Sequence, residues 1–189
     1  MSIQQRRERE RAERHRLIVD AARDLAETEG WDAVTTRRLA ERVEYSQPVL
    51  YSHFKGKDAI VRAVAVQGFV ELGERLRAAR GGQDGPAALR AAAEEYLAFA
   101  QARPALYDAM FVRRVDLPFG TAETPDELRA AFGEFIAAVA PVAAQRDLET
   151  LTEVVWSALH GLATLTDGRR LRPDHARARL DLLLAAFLE

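Results

Sequence analysis

The feature that most constrains this chain is residues 35–57, which predict two short helices joined by a tight turn. Thr35 is a natural helix cap, because its hydroxyl can accept a free backbone N–H at the start of a helix over about residues 36–43. Ser46 is predicted to cap a second helix over about residues 47–53 in the same way. Two helices of this length are typical of the motif that places its second helix in the major groove of DNA.

Charge is distributed unevenly along the chain. Residues 1–16 contain six arginines and three glutamates, and residues 35–57 contain five cations and two anions, whereas the whole chain of 189 residues has a formal net charge of −2. The remainder is therefore acidic, which favours a DNA-facing end joined to an acidic body. The chain has no cysteine, which excludes disulfides, zinc–thiolate sites and cysteine nucleophiles.

Hydrophobic periodicity predicts helices along the whole chain and no strand of useful length. No apolar run approaches the roughly 18 to 20 residues needed to span a bilayer, and no apolar segment that would mark a signal peptide follows the N-terminus. A capping-box spacing between Thr124 and Glu127 predicts one of the later helix starts. We predict an all-α fold of about nine helices, with approximate bounds 6–29, 36–43, 47–53, 57–80, 86–102, 104–113, 125–141, 147–166 and 174–188.

The stretch of about Arg14–Gly73 resembles the DNA-binding domain of the TetR family of bacterial transcriptional repressors. Residues 156–162 further resemble a Trp-x3-His-Gly signature found in one subgroup of TetR C-terminal domains, and residues 104–111 fit that subgroup. The N-terminal resemblance rests on residues that stand in the family's order and spacing, namely Leu17, Ile18, Ala21, Ala22, Leu25, Gly30, Thr35, Thr36, Leu39, Ala40, Leu50, Tyr51, His53, Phe54 and Lys57.

The resemblance implies a helix-turn-helix DNA-binding domain of three helices over residues 1–56. It also implies a C-terminal helical bundle over residues 57–189 that senses a ligand and dimerises. Arg37 can reach two acceptors on guanine, and Gln47 can pair similarly with adenine. The predicted DNA-binding residues, which include apolar contacts to thymine methyl groups and anchors to the phosphate backbone, are Thr35, Thr36, Arg37, Ser46, Gln47, Pro48, Val49, Tyr51, His53 and Lys57.

Two residues depart from the family pattern in the turn between the short helices. Glu44 stands where the family usually has glycine, and Tyr45 stands where it usually has a small aliphatic residue. If Glu44 needs a positive φ, its side chain costs on the order of 1 kcal/mol. These two residues leave the exact orientation of the second helix open, although the helix itself is still predicted.

Each DNA contact has an ordinary structural alternative. Arg38 and Arg42 are expected to be solvated or paired with Glu41 and Glu44. Tyr51 can be a buried aromatic residue, and His53 can pack against its neighbours instead of touching DNA. The alternation of arginine and glutamate before residue 17 also fits a plain solvated helix face.

The last two predicted helices carry wide apolar stripes. By resemblance these helices pair with their counterparts in a second copy, and a two-fold dimer suits a palindromic operator. The alternative is that the stripes close the core of a single chain. The predicted interface residues are Leu151, Val155, Leu159, Leu162, Leu180, Leu183, Leu184 and Phe187.

Aromatic and sulfur-containing side chains are concentrated in the middle of the chain. A mostly apolar pocket with a few polar groups suits a small hydrophobic effector, although each of these residues also fits an ordinary core. The four histidines lack the spacing of metal ligands, so we predict no metal and no cofactor. The predicted pocket residues are Tyr96, Phe99, Tyr107, Met110, Phe111, Trp156 and His160.

The sequence therefore predicts a cytoplasmic bacterial regulator that binds an operator as a homodimer and is released by an effector. The effector would shift the helix over about residues 57–80 and so change the spacing of the two DNA-binding domains. We find no nucleophile-elbow, P-loop, dinucleotide or zinc-protease motif, so we predict no enzyme. The alternatives are a ligand-insensitive regulator or activator of the same fold, and an interaction module with a vestigial DNA reader, for which Glu44 is the only support.

Overall fold

The structure is a computed structural model that describes residues 2–188. Met1 and Glu189, which the predicted domain ranges include, lie outside the described residues. Within those residues the chain is all helical and contains no strand, as predicted. Its α-helices are α1 Ile3–Glu29, α2 Thr36–Arg42, α3 Gln47–His53, α4 Lys57–Arg80, α5 Pro86–Ala102, α6 Pro104–Tyr107, α7 Asp126–Val139, α8 Leu148–Asp167 and α9 Ala176–Leu188.

The helix ends follow local signals in most places. Gly30 ends α1 with φ 81°, and the Thr35 hydroxyl accepts a hydrogen bond from the backbone N–H of Arg38, so both predicted signals are confirmed. Helix α1 begins three residues earlier than predicted, because Ser2 and Gln5 form a reciprocal capping box.

Two predicted caps are wrong in detail. Ser46 precedes α3, but its side chain makes no capping hydrogen bond. The Thr124 hydroxyl accepts a hydrogen bond from the backbone N–H of Thr121 instead of capping α7, which begins at Asp126. In both places a tight backbone turn fixes the helix start without the side chain.

The predicted helix over residues 104–113 is two different helices. The four residues of α6 are followed by a π-helix over Asp108–Val112. The turn closes at Arg113, whose backbone N–H and side-chain Nε both donate to Asp108, the latter at 2.6 Å. A π-helix is rare in proteins and recurs at functional positions, so this segment is a distinct feature of the chain.

The chain divides into two compact units that differ from the predicted division at residues 56 and 57. The first unit runs to Gly68 and also includes Ala105–Pro118, and the second contains Phe69–Pro104 and the chain from Phe119 onward. The boundary at residue 68 falls inside α4. The predicted functional division into a DNA-binding and a sensing domain stays a prediction.

Hydrogen bonds over a long sequence separation attach Ala105–Pro118 to the first unit. The Glu27 carboxylate accepts the backbone N–H groups of Ala105 and Leu106 at 3.2 and 3.1 Å. The indole Nε1 of Trp31 donates to the carbonyl of Ala105 at 2.9 Å. Glu27 thus satisfies amide groups that the start of α6 leaves without a helical partner.

Each unit has its own apolar core. In the first unit α1 buries Ile18 and Leu25 of its apolar stripe, and Leu39 and Leu50 of the short helices are buried in the same unit. Leu17, which the spacing also predicted for this stripe, is 46% exposed. The second unit buries aromatic and aliphatic side chains of α5, α7, α8 and α9, namely Tyr96, Phe99, Phe135, Val139, Leu151, Val155, Leu159, Leu180 and Leu184.

The turn between α2 and α3 keeps a left-handed backbone at Glu44, with φ 56°. We expect Glu44→Gly to raise the free energy of unfolding by up to about 1 kcal/mol, because glycine adopts this conformation without a steric penalty. Urea denaturation followed by circular dichroism measures the change. Glu41→Gly, the same substitution inside α2, is the matched control and should instead cost about 1 kcal/mol. A destabilising Glu44→Gly would contradict the prediction.

Candidate DNA-binding surface

Helix α3 presents one exposed face and one buried face. Leu50 and the adjoining Phe54 are buried and hold the helix against the rest of the first unit. Gln47 and Pro48 are exposed at its N-terminal end, and Tyr51, with 54% of its surface exposed, lies one turn further along the same face. The buried-aromatic alternative for Tyr51 is therefore wrong. This face carries amide, apolar and phenolic groups toward solvent, where they are available to a ligand.

The start of α2 adds polar groups to the same unit. The Arg37 side chain is exposed, and its Nε donates to Glu41 Oε1 at 3.0 Å, one helical turn away. An exposed pair of this kind is worth only a few tenths of a kcal/mol, so Arg37 can exchange Glu41 for another acceptor. Its terminal amino groups retain the geometry that matches two acceptors on a guanine edge.

Arg38 has a structural partner rather than a free guanidinium. Its two terminal nitrogens donate to both carboxylate oxygens of Glu29, each at 2.8 Å. These hydrogen bonds lower the pKa of Glu29 and raise the pKa of Arg38. The expected pairing of Arg38 with Glu41 is wrong, because the end of α1 supplies a carboxylate with better two-point geometry.

Lys57 lies at the start of α4 with its side chain partly buried. Its ammonium group donates to the backbone carbonyl of Trp31 at 2.5 Å. An ammonium group has three donors, so Lys57 can hold this contact and still donate to a phosphate. Its place at the first turn of a long helix also favours a negative ligand.

Two histidines and an aromatic ring form a cluster at the end of α3. The ring of His15 on α1 lies 4.4 Å from Phe54 and 6.4 Å from His53, measured between ring centroids. Burial lowers the pKa of both histidines, and the positive charge of Arg11 lowers both further. His53 is half-buried in this cluster, so it packs against its neighbours while remaining accessible.

This cluster predicts a stability that decreases in mild acid. Both histidines have a lower pKa in the folded protein than the unfolded value of about 6.5, so the unfolded chain binds more protons as the pH falls through that value. We expect the Tm to fall between about pH 7 and pH 5.5, and the double variant His15→Gln, His53→Gln to show a smaller fall. The exposed His175→Gln is the control. An unchanged pH dependence in the double variant would contradict the prediction.

Two family descriptions match this chain and together cover most of it. Residues 18–64 match "Bacterial regulatory proteins, tetR family", and residues 89–187 match "Tetracyclin repressor-like, C-terminal domain". The chain belongs to the TetR family. The first match contains α2, α3 and the cluster partner Phe54. Neither match tests the Trp-x3-His-Gly subgroup, which stays a prediction.

Two TetR-family relatives match this chain over segments of different length. The uncharacterized HTH-type transcriptional regulator YobS of Bacillus subtilis (strain 168) is 31% identical over 98 residues, which are 52% of this chain and 51% of YobS. Tetracycline repressor protein class D of Escherichia coli is 44% identical over 50 residues, 26% of this chain and 23% of that protein. The chain thus spans about half the length of YobS and less of the repressor.

A solved structure of a protein of unknown function from Rhodococcus sp. RHA1 extends the likeness to nearly the whole chain. It has a TM-score of 0.75 at 24% identity, and the match covers 93% of this chain and 95% of that one. The two proteins therefore share their fold.

The predicted pocket residues of this TetR chain divide between its two units. Tyr96, Phe99, Trp156 and His160 belong to the second unit, and Tyr107, Met110 and Phe111 belong to the first. Tyr96 and Phe99 are fully buried, and the Tyr96 hydroxyl accepts a hydrogen bond from Trp156 Nε1 at 3.1 Å. His160 lies 6.0 Å from the Trp156 ring, and burial lowers its pKa.

The predicted dimer residues differ in how far their own chain buries them. Leu162, Leu183 and Phe187 are partly exposed. The other five are packed in the core of their own chain, and the predicted interface stays a prediction. Those five buried residues are Leu151, Val155, Leu159, Leu180 and Leu184.

Within residues 2–188, neither a side-chain cluster suited to a metal nor a helix suited to cross a membrane is present. No group of three or more histidine, aspartate or glutamate side chains in that range is placed to hold a metal ion. Over the same residues, every helix is too short or too polar to cross a bilayer.

Proposed function

We propose that this protein is a DNA-binding transcription regulator, specifically a repressor that leaves a palindromic operator when a small, mostly hydrophobic effector binds. The observation that carries the proposal is the exposed face of α3. Gln47, Pro48 and Tyr51 point to solvent, while Leu50 and Phe54 fix the helix from behind. A short second helix held in this way has the geometry of a major-groove reader.

The side chains on and around α3 divide into base readers and phosphate anchors. Gln47 suits adenine and Arg37 suits guanine, because each can form two hydrogen bonds to the major-groove edge of that base. Pro48 and Val49 offer apolar surface to thymine methyl groups. The remaining predicted contacts serve the phosphate backbone and fix the register of the protein on DNA, namely Thr35, Thr36, Ser46, Tyr51, His53 and Lys57.

A two-fold dimer presents two such readers to a palindrome, and we place its interface on the exposed sides of α8 and α9. Val154 and Leu165 are exposed, and the spacing of 4, 3 and 4 residues puts Ala158 and Gly161 on the same stripe of α8. Leu182 is the most exposed large apolar side chain of α9. Small residues along such a stripe allow two helices to approach closely.

We place the effector site beside Trp156 and His160 in the second unit. Both side chains are partly exposed and combine an aromatic surface with a polar ring nitrogen. Such a combination suits a hydrophobic ligand that carries one or two polar groups. Effector binding acts on the operator only through its different affinities for the DNA-bound and free conformations. The protein acts by binding and not by catalysis, in the bacterial cytoplasm at the nucleoid.

Selection from randomised duplex DNA, followed by affinity measurements on the enriched duplex, tests the proposal. We expect a palindromic preference, and we expect Gln47→Ala to weaken binding about 5- to 150-fold per half-site while relaxing selectivity at one base pair. Gln83→Ala is the matched control, because Gln83 is an exposed glutamine in the second unit. The proposal fails if no sequence is enriched, or if both variants bind as the unchanged protein does.

A further inference from the structure

Helix α1 extends well beyond the part of the chain that matches the family. The family match begins at Ile18, where the buried stripe of α1 also begins, but the helix starts at Ile3. Over residues 2–17 every side chain is exposed except that of Glu10, which is partly buried. This extension therefore contributes little to the core, although it continues the helix without a break.

Three arginines of the extension lie on the same side of α1 as its buried stripe. Arg7, Arg11 and Arg14 are followed by Ile18 at spacings of 4, 3 and 4 residues, which is the spacing of one helical face. We call these three residues the N-terminal arginine row. One face of α1 is therefore apolar and buried from residue 18 onward, and the same face carries a row of positive charges before residue 18.

Two of the three glutamates of the extension are paired with arginines outside the row. Arg6 Nε lies 2.9 Å from Glu10 Oε1, and Arg9 Nε lies 3.5 Å from Glu13 Oε1. Among residues 2–188, by contrast, no ion pair involves the N-terminal arginine row. The hydrogen bond from Arg6 lowers the pKa of Glu10, and the charges of Arg14 and Arg7 add to that effect. The carboxylate nearest to the row is therefore already satisfied by another arginine.

The row ends beside the C-terminal end of α3. His15 follows Arg14 directly and stacks on Phe54, with His53 within 6.4 Å. The charges of Arg11 and Arg14 contribute to the lowered pKa of His53, after burial as the main cause. The positive row therefore ends next to His53, one of the predicted phosphate anchors.

We propose that the N-terminal arginine row binds phosphates of the duplex that flanks the bases read by α3. The inference rests on the proposed function and adds a second DNA-contacting element to it. From Arg7 to Arg14 the helix rises about 10 Å, a length over which duplex DNA carries about six phosphates. A row of arginines on one face fits such a line of charges, and its contacts carry no sequence information.

The test compares two triple variants of the same helix with equal charge changes, one on the arginine row and one outside it. The row variant is Arg7→Gln, Arg11→Gln, Arg14→Gln, and the control is Arg6→Gln, Arg9→Gln, Arg16→Gln. Each is titrated over a salt series against two duplexes, the selected operator alone and the operator with added flanking base pairs. Circular dichroism and the Tm establish that all three proteins are folded.

On the flanked duplex we expect the row variant to bind at least about tenfold more weakly at low salt. The slope of log K against log salt should become shallower by about one per arginine in each protomer. The control should stay within about twofold of the unchanged protein, and the short duplex should remove most of the difference.

Two outcomes overturn the inference while leaving the proposed function intact. In the first, the unchanged protein binds its operator selectively and the row variant binds the flanked duplex with the same affinity and salt slope. In the second, the row and control variants weaken binding equally, which indicates a general charge effect instead of a defined face. Absence of selective binding by the unchanged protein overturns the proposed function itself, and this inference with it.

Discussion

Leu182→Arg should convert the protein from a dimer to a monomer at micromolar concentration. Leu182 is 74% exposed on α9. It belongs to the proposed interface, together with the exposed Val154 and Leu165 of α8. Burying an unpaired guanidinium in an apolar interface costs several kcal/mol, which exceeds what a few lost methyl contacts would cost. Analytical ultracentrifugation measures the change in mass.

The same variant should lose operator affinity by more than about a hundredfold, because each protomer then binds only one half-site. Its α3 surface is unchanged, so any loss comes from dimerisation. Val112→Arg is the matched control, since Val112 is an exposed apolar residue of the π-helix in the first unit, with 54% of its surface exposed. A dimeric Leu182→Arg protein, or a monomeric unchanged protein, would refute the proposed interface.

The parts of the fold that depend on neighbouring residues were predictable from the sequence. Gly30 ends α1 because glycine adopts the positive φ that the chain needs there. Thr35 caps α2 through a contact only three residues along the chain. Helix bounds and the exposed face of α3 follow from the same short-range spacing, which is why most predicted helices lie within a few residues of the observed ones.

The parts that depend on distant contacts were not predictable. Nothing in residues 104–118 indicates that this stretch packs with the first unit, because its attachment depends on Glu27 and Trp31, more than 70 residues earlier. The π-helix likewise has no periodicity signal over five residues. Its one local hint is the spacing of Asp108 and Arg113, which pair across the wider turn.

The predicted dimer residues show a further limit of prediction from sequence, namely which apolar residues of a helix face its own core. Helix α8 is apolar over more than half of its circumference, so its composition does not say which part of the stripe faces its own core. Leu159 is fully buried while Leu165, six residues later, is exposed. The packing of α5 and α7 against α8 determines which of these leucines is buried. That packing cannot be inferred from the sequence of one chain.

Trp31 links the helix-turn-helix segment to Ala105–Pro118 within the first unit, and its removal should have the largest effect on stability. The side chain is 3% exposed, and its Nε1 donates to the Ala105 carbonyl. The guanidinium of Arg113 lies 5.5 Å from the ring centroid. We expect Trp31→Ala to lower the free energy of unfolding by about 3–5 kcal/mol, as for other large buried aromatics, in urea denaturation followed by circular dichroism.

Two milder variants separate the causes of that loss. Trp31→Phe keeps most of the buried ring but leaves the Ala105 carbonyl without its donor, which should cost about 1–3 kcal/mol. Arg113→Ala removes the cation above the ring and also the ion pair with Asp108, so its expected cost of about 1 kcal/mol sets an upper limit for the cation–π contact. If Trp31→Ala costs no more than Trp31→Phe, the ring contributes no packing and the hydrogen bond to Ala105 alone attaches the segment. The large predicted effect requires the opposite order, with the loss of ring volume exceeding the loss of the donor.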